Sequence, residues 1–143
     1  MKSAQIVLIE DNPADVLLVK MALKENGIEH ALTRFESGED AIRVLCAETN
    51  GDVLVPDAIL LDLNTPGTDG FDVLHRFKEF PRLSGVPIAI LTSSRDRKDK
   101  LRAAIQGARY IEKPSQLNEF LTSVGQVVKE MLDVSLKNRT ASE

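Results

Sequence analysis

The adjacent acids Glu10-Asp11, a third acid, Asp62, the hydroxyl of Thr92 and the ammonium of Lys113 are the side chains here that could carry chemistry together. Each lies just past a short apolar run, and such runs read as strands. If the strands lie parallel in one sheet, the five groups meet at one rim. Three carboxylates within a few ångströms repel one another and resist full ionisation without a cation. Oxygen ligands with no His or Cys nearby select a hard ion, and few protein ligands leave the waters that Mg²⁺ keeps, so Mg²⁺ is expected over Ca²⁺. A lysine and a hydroxyl alongside suit a tetrahedral oxyanion such as a phosphoryl group. A carboxylate beside a metal can itself be the nucleophile, giving an acyl phosphate. The residues alone therefore read as metal-assisted phosphoryl transfer onto an aspartate.

Such a rim needs a particular scaffold, and the chain alternates in the way that builds one. Strands are expected over 6–9, 30–35, 58–61, 88–91 and 109–111. Helices are expected over 14–26, 39–48, 71–80, 97–106 and 116–134. The first helix is opened by Asp11-Asn12-Pro13, capping side chains followed by proline at the first helical position, and stopped by Asn26-Gly27. Ser37-Gly38 opens the second and Asn50-Gly51 ends it. The turn Asn64-Thr65-Pro66-Gly67, then Pro81 and Gly107, punctuate the rest. Five strands alternating with five helices imply an α/β fold, a doubly wound five-stranded parallel sheet with right-handed crossovers. Its strands are nearly all apolar rather than alternating, which fits burial on both faces. In the flavodoxin-like order 2-1-3-4-5 the first and third strands are neighbours, so Glu10, Asp11 and Asp62 converge where ligands bind such sheets.

The 143 residues and 15.8 kDa suit one core, read as a domain over 1–134 and a short polar tail over 135–143. Hydrophobic residues at 43% and charged residues at 28% argue against disorder. Apolar runs of four or so residues fall far short of the ~20 needed to span a bilayer, and no signal-like leader opens the chain, so a cytoplasmic location without membrane contact is expected. A net charge of -4 speaks against a nucleic-acid surface. The single cysteine, Cys46, has no partner for a disulfide or a zinc site and reads as a small buried hydrophobe.

Four segments, Ile-Glu-Asp-Asn-Pro at 9–13, Asp-Leu-Asn-Thr-Pro-Gly-Thr-Asp-Gly at 62–70, Leu-Thr-Ser-Ser at 91–94 and Tyr-Ile-Glu-Lys-Pro at 110–114, resemble the receiver domain of bacterial two-component response regulators. The resemblance covers roughly 4–134. Within that family Glu-Asp-Asn-Pro-Ala-Asp-Val, Asp-Leu-Asn-Thr-Pro-Gly and the long loop before the third strand are most similar to stand-alone regulators paired with bacterial phytochromes. The resemblance implies that Asp62 is the phosphoacceptor, taking the group from a sensor histidine kinase or a phosphotransfer protein. It implies Mg²⁺ held by Glu10, Asp11, Asp62 and the backbone carbonyl of Asn64, with Glu10 acting through water. Lys113 and Thr92 would contact the phosphoryl group, Thr92 and Tyr110 would form the switch, and Asn64 and Ser94 would tune dephosphorylation. Such a protein assists its own phosphorylation and dephosphorylation and is not otherwise an enzyme. The family usually has a cis bond at Lys113-Pro114 and signals through its fourth helix, fifth strand and fifth helix, a face that could also pair two copies.

The nine residues after 134 are too few for an output domain, so signalling by protein contact is expected. The alternative is a receiver fragment of a longer DNA-binding transcriptional regulator. An enzyme or nucleotide-binding module on the same fold would want a glycine-rich loop after the first strand, where this chain has acids. Asp11-Asn12-Pro13 also reads as an ordinary helix cap, and Tyr110 as a static aromatic. His30 and His75 lie away from the rim and read as structural or solvated. The segment 95–102, with five basic and two acidic residues, reads as a solvated helix start or a docking patch for an acidic partner. Val127, Met131 and Leu132 lie late enough in the last helix to extend past the sheet as a homodimer seam.

Overall fold

Apolar runs form β1 (Ala4–Ile9), β3 (Ala58–Leu61) and β4 (Ile88–Thr92), and the more polar segments β2 (His30–Phe35) and β5 (Arg109–Glu112) pair at the two edges. The computed structural model describes residues 3–49, 51 and 53–141, with side chains through Lys137. All pairings are parallel, as the alternation of elements implies, and the order is β2-β1-β3-β4-β5, the flavodoxin-like order expected. The connecting helices are α1 (Pro13–Glu25), α2 (Gly38–Leu45), α3 (Gly70–Glu79), α4 (Arg97–Ile105) and α5 (Leu117–Ala141). Successive strand residues point to opposite faces. Ile6, Leu8, Leu60 and Leu91 therefore pack with α1 and α5, while Val7, Ile9, Leu61 and Ile90 pack with α2, α3 and α4. Each face buries an apolar layer, which is why the central strands β1, β3 and β4 carry little polar alternation.

The helix starts follow their caps. Asn12 accepts from the Ala14 amide at 2.9 Å with Pro13 in the first turn, and Ser37, Asp69 and Asp96 cap α2, α3 and α4 in the same way. The ends hold two corrections. The second helix stops at Leu45, not near 48, because Nη2 of Arg82 takes the carbonyls of Leu45 and Ala47 at 3.0 and 2.8 Å. Asn50, half of the stop signal read there, lies outside the described residues. At the other end α5 runs on to Ala141, so 135–141, read as tail from their polarity, are helical. No glycine or proline interrupts that stretch, and polarity alone does not stop a helix. Ser142 and Glu143 lie outside the described residues. Among the described residues no helix is long and apolar enough to cross a membrane.

The residues read as a dimer seam belong mostly to the core. Met131 is buried, and Val127 and Leu132 pack against the layer between sheet, α1 and α5. Helix α5 meets α1 closely at one point. The Asn26 amide reaches over to donate to the Leu121 carbonyl at 2.9 Å and to its own helix at Ala22 at 2.7 Å. A Cβ on Gly125 would overlap that amide. Glycine inside a helix ordinarily costs about 1 kcal/mol relative to alanine. Here the sign reverses: Gly125→Ala should lower stability in urea unfolding by about 1–3 kcal/mol, the range for overpacking with lost hydrogen bonds. In an Asn26→Ala background the same change should be neutral or stabilising.

Candidate functional site

The sheet ladder continues beyond the strands and places the acids. The Glu10 amide donates to the Phe35 carbonyl and the Asp62 amide to the Ile9 carbonyl, each at 3.0 Å, and the Lys113 amide donates to Thr92 at 2.7 Å. Neighbouring strands lie about 4.8 Å apart, so residues on consecutive rungs must share one rim. Glu10, Asp11 and Asp62 each bring a carboxylate oxygen within 4.8 Å of the others. Asp11-Asn12-Pro13 serves both readings at once: Asn12 caps α1, and Asp11 joins the cluster.

At the centre stands Lys113. Its Nζ donates to Glu10 Oε1 at 2.8 Å, to Asp15 Oδ2 at 2.8 Å and to Asp62 Oδ2 at 2.9 Å. An ammonium has three N–H donors, and all are used. Asp62 is engaged at both oxygens, since its Oδ1 accepts from the Asn64 amide at 2.9 Å. Glu10 is almost wholly covered, and its carboxyl is pushed up from 4.5 to about 7, first by burial and then by the hydrogen bond and negative charge of Asp62. Burial pulls the Lys113 ammonium down, but its hydrogen bonds to Asp15, Glu10 and Asp62 outweigh that and hold its pKa above that of an ordinary lysine.

Thr92 is fully buried and joins the cluster through Asn64, whose Nδ2 donates to Thr92 Oγ1 at 3.4 Å. The same hydroxyl oxygen accepts from the Ser94 amide at 3.2 Å. The Ser94 hydroxyl is engaged with the start of α4, donating to Asp99 Oδ2 at 2.7 Å. Tyr110 is half-buried, and its hydroxyl donates to the Ser94 carbonyl at 2.6 Å. Lys113-Pro114 is trans, like every peptide bond among the described residues, so the expected cis bond is absent. Trans is the favoured isomer by about 0.5–1 kcal/mol, and Lys113 reaches its acids from it.

Two residues of the site escaped the sequence reading. Asp15 looks like a first-turn acid complementing the α1 dipole, and nothing in the local sequence ties it to the rim. Arg34 looks like a polar residue in a weak strand. Its Nε and Nη2 donate to the carbonyls of Glu10 at 2.9 Å and Asp11 at 3.0 Å, fixing the backbone that carries both acids. Both histidines lie away from the rim: His30 Nδ1 is 2.8 Å from the Ile28 carbonyl, and His75 is solvated, paired with Glu79 on an exposed helix face. Cys46 is half-buried at the end of α2, against the core.

The cluster fits a hard divalent cation. Its donors are all oxygens, two of the acids are buried and Asp11 is exposed, which leaves a wet side for bound waters. A raised carboxyl at its heart marks charge that a cation would relieve.

The family model for the response regulator receiver domain matches residues 6–125. Response regulator Rcp1 of Synechocystis is 38% identical over 95 residues, which are 66% of this chain and 65% of Rcp1. Its Mn²⁺-bound crystal form superposes with a TM-score of 0.77 at 32% identity, covering 87% of this chain and 91% of that one. The phosphorylated cyanobacterial phytochrome response regulator RcpA superposes with a TM-score of 0.81 at 31% identity, covering 92% and 95%. Protein PilH of Pseudomonas aeruginosa is 27% identical over 126 residues, 87% of this chain and 98% of PilH. A match that runs from β1 into α5, over a sheet whose order agrees with it, settles the kinship: the chain belongs to the family of response regulator receiver domains, the signal-receiving modules of two-component systems.

Proposed function

We propose that this chain takes a phosphoryl group onto Asp62 from the phosphohistidine of a sensor histidine kinase or phosphotransfer protein, in a Mg²⁺-dependent reaction, and signals by protein contact. The observation that carries this is Asp62 itself: a buried carboxylate fixed at one oxygen by a backbone amide and at the other by Lys113, beside two further acids. An Asp62 oxygen forms the new O–P bond as the donor's P–N bond breaks, and the bonding pair leaves with the imidazole. Glu10, Asp11, Asp62 and the Asn64 carbonyl would hold Mg²⁺, which supplies positive charge for the phosphoryl oxygens. Lys113 exchanges its Asp62 contact for a phosphoryl oxygen. The phosphorylated RcpA and the Mn²⁺-bound Rcp1 support both parts of the reading. The chain is consumed in the reaction and renewed by hydrolysis, with Asn64 and Ser94 governing the water's approach, so it is an acceptor and not an enzyme with a separate substrate.

Phosphorylation adds roughly two negative charges and new acceptor oxygens. Thr92 turns its hydroxyl toward them and gives up the Ser94 amide. Tyr110, bonded to the Ser94 carbonyl, moves inward with that loop. Two or three charge-assisted hydrogen bonds, at about 1.5–3 kcal/mol each, suffice to shift a two-state equilibrium. The face they bias carries Leu101 and Ile105, 61% and 76% exposed on α4, which a target or a second copy of the chain would cover. A stand-alone regulator, working in the cytoplasm where kinase phosphohistidines are met, is the reading favoured by the 98% span of PilH.

With a small phosphodonor and Mg²⁺, intact mass should show one phosphoryl group on the wild type and none on Asp62→Asn. Lys113→Ala should still accept the group but lose phosphorylation-dependent partner binding. Labelling of Asp62→Asn at the wild-type rate, or normal partner binding by Lys113→Ala, would refute those roles. Metal binding should depend on pH. The Glu10 carboxyl titrates near 7 in the folded chain against 4.5 unfolded, so its neutral form is favoured, and the stability this contributes is full below 4.5 and lost as pH rises through 7. Mg²⁺ needs the ionised form, so its calorimetric affinity should rise up to about tenfold per pH unit below neutrality and level off above. A flat affinity between about pH 6 and 8 would remove Glu10 from the ligand set.

A further inference from the structure

Asp15 shares the ammonium of Lys113 with the acid cluster yet is not part of that cluster. Its Oδ2 lies 2.8 Å from Nζ, as close as Glu10 and closer than Asp62 at 2.9 Å. The three acceptors differ in what a cation would do to them. Glu10 and Asp62 belong to the trio whose oxygens converge, whereas Asp15 does not. With a divalent ion held there, Glu10 and Asp62 would turn their charge to it and hold the lysine less strongly, and the ion's charge would oppose the ammonium. Only Asp15 keeps its full charge for Lys113. It stands on the first turn of α1, which Asn12 caps and Pro13 opens, so its backbone is rigid. The Lys113 side chain is only 11% exposed, so water offers it little replacement.

We propose that Asp15 is a positioning residue that holds the Lys113 ammonium at the rim while Glu10 and Asp62 turn to the metal, so that lysine and metal do not compete for the same oxygens. Without Asp15 the third N–H must fall back on Glu10 or Asp62, and the ion must displace it. The inference rests on the metal reading above and goes beyond it, because it assigns a role to a residue outside the ligand set. It also gives the lysine a fixed starting point within hydrogen-bond reach of Asp62.

A double-mutant cycle on Mg²⁺ affinity separates this role from a structural one. Calorimetry on the wild type, Asp15→Asn, Lys113→Ala and the double variant should show Asp15→Asn weakening Mg²⁺ about 3- to 10-fold, a coupling usual for residues in contact. In the Lys113→Ala background the same change should cost less than about twofold, because Asp15 acts through the lysine. Equal weakening in both backgrounds, or none in either, overturns the proposal. A second measurement needs no variant: the ¹⁵N signal of the Lys113 ammonium in the wild type should remain exchange-protected after saturation with Mg²⁺. Loss of that protection means that Asp15 does not retain the lysine. A wild-type chain that takes up no Mg²⁺ at all removes the metal reading first.

Discussion

Four carboxylates and one ammonium share the carboxyl rim of this sheet, and the imbalance of charge governs everything near it. Two like charges about 4 Å apart repel by about 4 kcal/mol at an effective dielectric constant of 20. Lys113 answers part of this by bonding Glu10, Asp15 and Asp62 at once. The remainder shows in Glu10, whose carboxyl is pushed up to about 7 by its burial and by Asp62. A site in this condition gains twice from a divalent cation, by neutralising the acids and by freeing them to ionise. It also gains from a group whose oxygens can take over the lysine.

The fold supplies the constraint that keeps the acids together against their repulsion. Two ladder hydrogen bonds past the ends of β1 and β3 pin Glu10 and Asp62 on adjoining rungs. Arg34, reaching in from β2, binds the carbonyls of Glu10 and Asp11. The apolar layers on both faces make the sheet rigid, since the strands are buried on either side. The loops beyond the rim are held more lightly. The β4–α4 loop rests on Thr92, Asp99 and Tyr110 through single hydrogen bonds around Ser94. Rigid acids beside a lightly tethered loop suit a device in which charge change at one place moves the other.

Much of this is legible in the amino-acid sequence. Apolar strand runs and capping residues gave the elements, and the rule that doubly wound sheets bind ligands past their strand ends picked out Glu10, Asp11, Asp62, Thr92 and Lys113. What escaped were contacts made at long range. Asp15 carries the local signature of a first-turn acid, and only the return of the chain a hundred residues later turns it into a lysine partner. Arg82 ends α2 from beyond α3, where no local signal marks it. Polarity alone understates the length of α5, because helices stop at glycine, proline or a lost partner and not at polar residues. The last-helix residues read as a seam are largely inside because α5 packs beside α1 on the same face of the sheet.

The bond that Asp62 would form is an acyl phosphate, with a chemical signature of its own. Hydroxylamine at neutral pH cleaves acyl phosphates and spares phosphoesters of serine and threonine. Treated with a small phosphodonor, the wild-type chain should gain a label only when Mg²⁺ is present, and hydroxylamine should remove it. A label that withstands hydroxylamine, or that accumulates equally with the metal chelated, would contradict the assignment of this rim as a metal-dependent aspartyl phosphoacceptor.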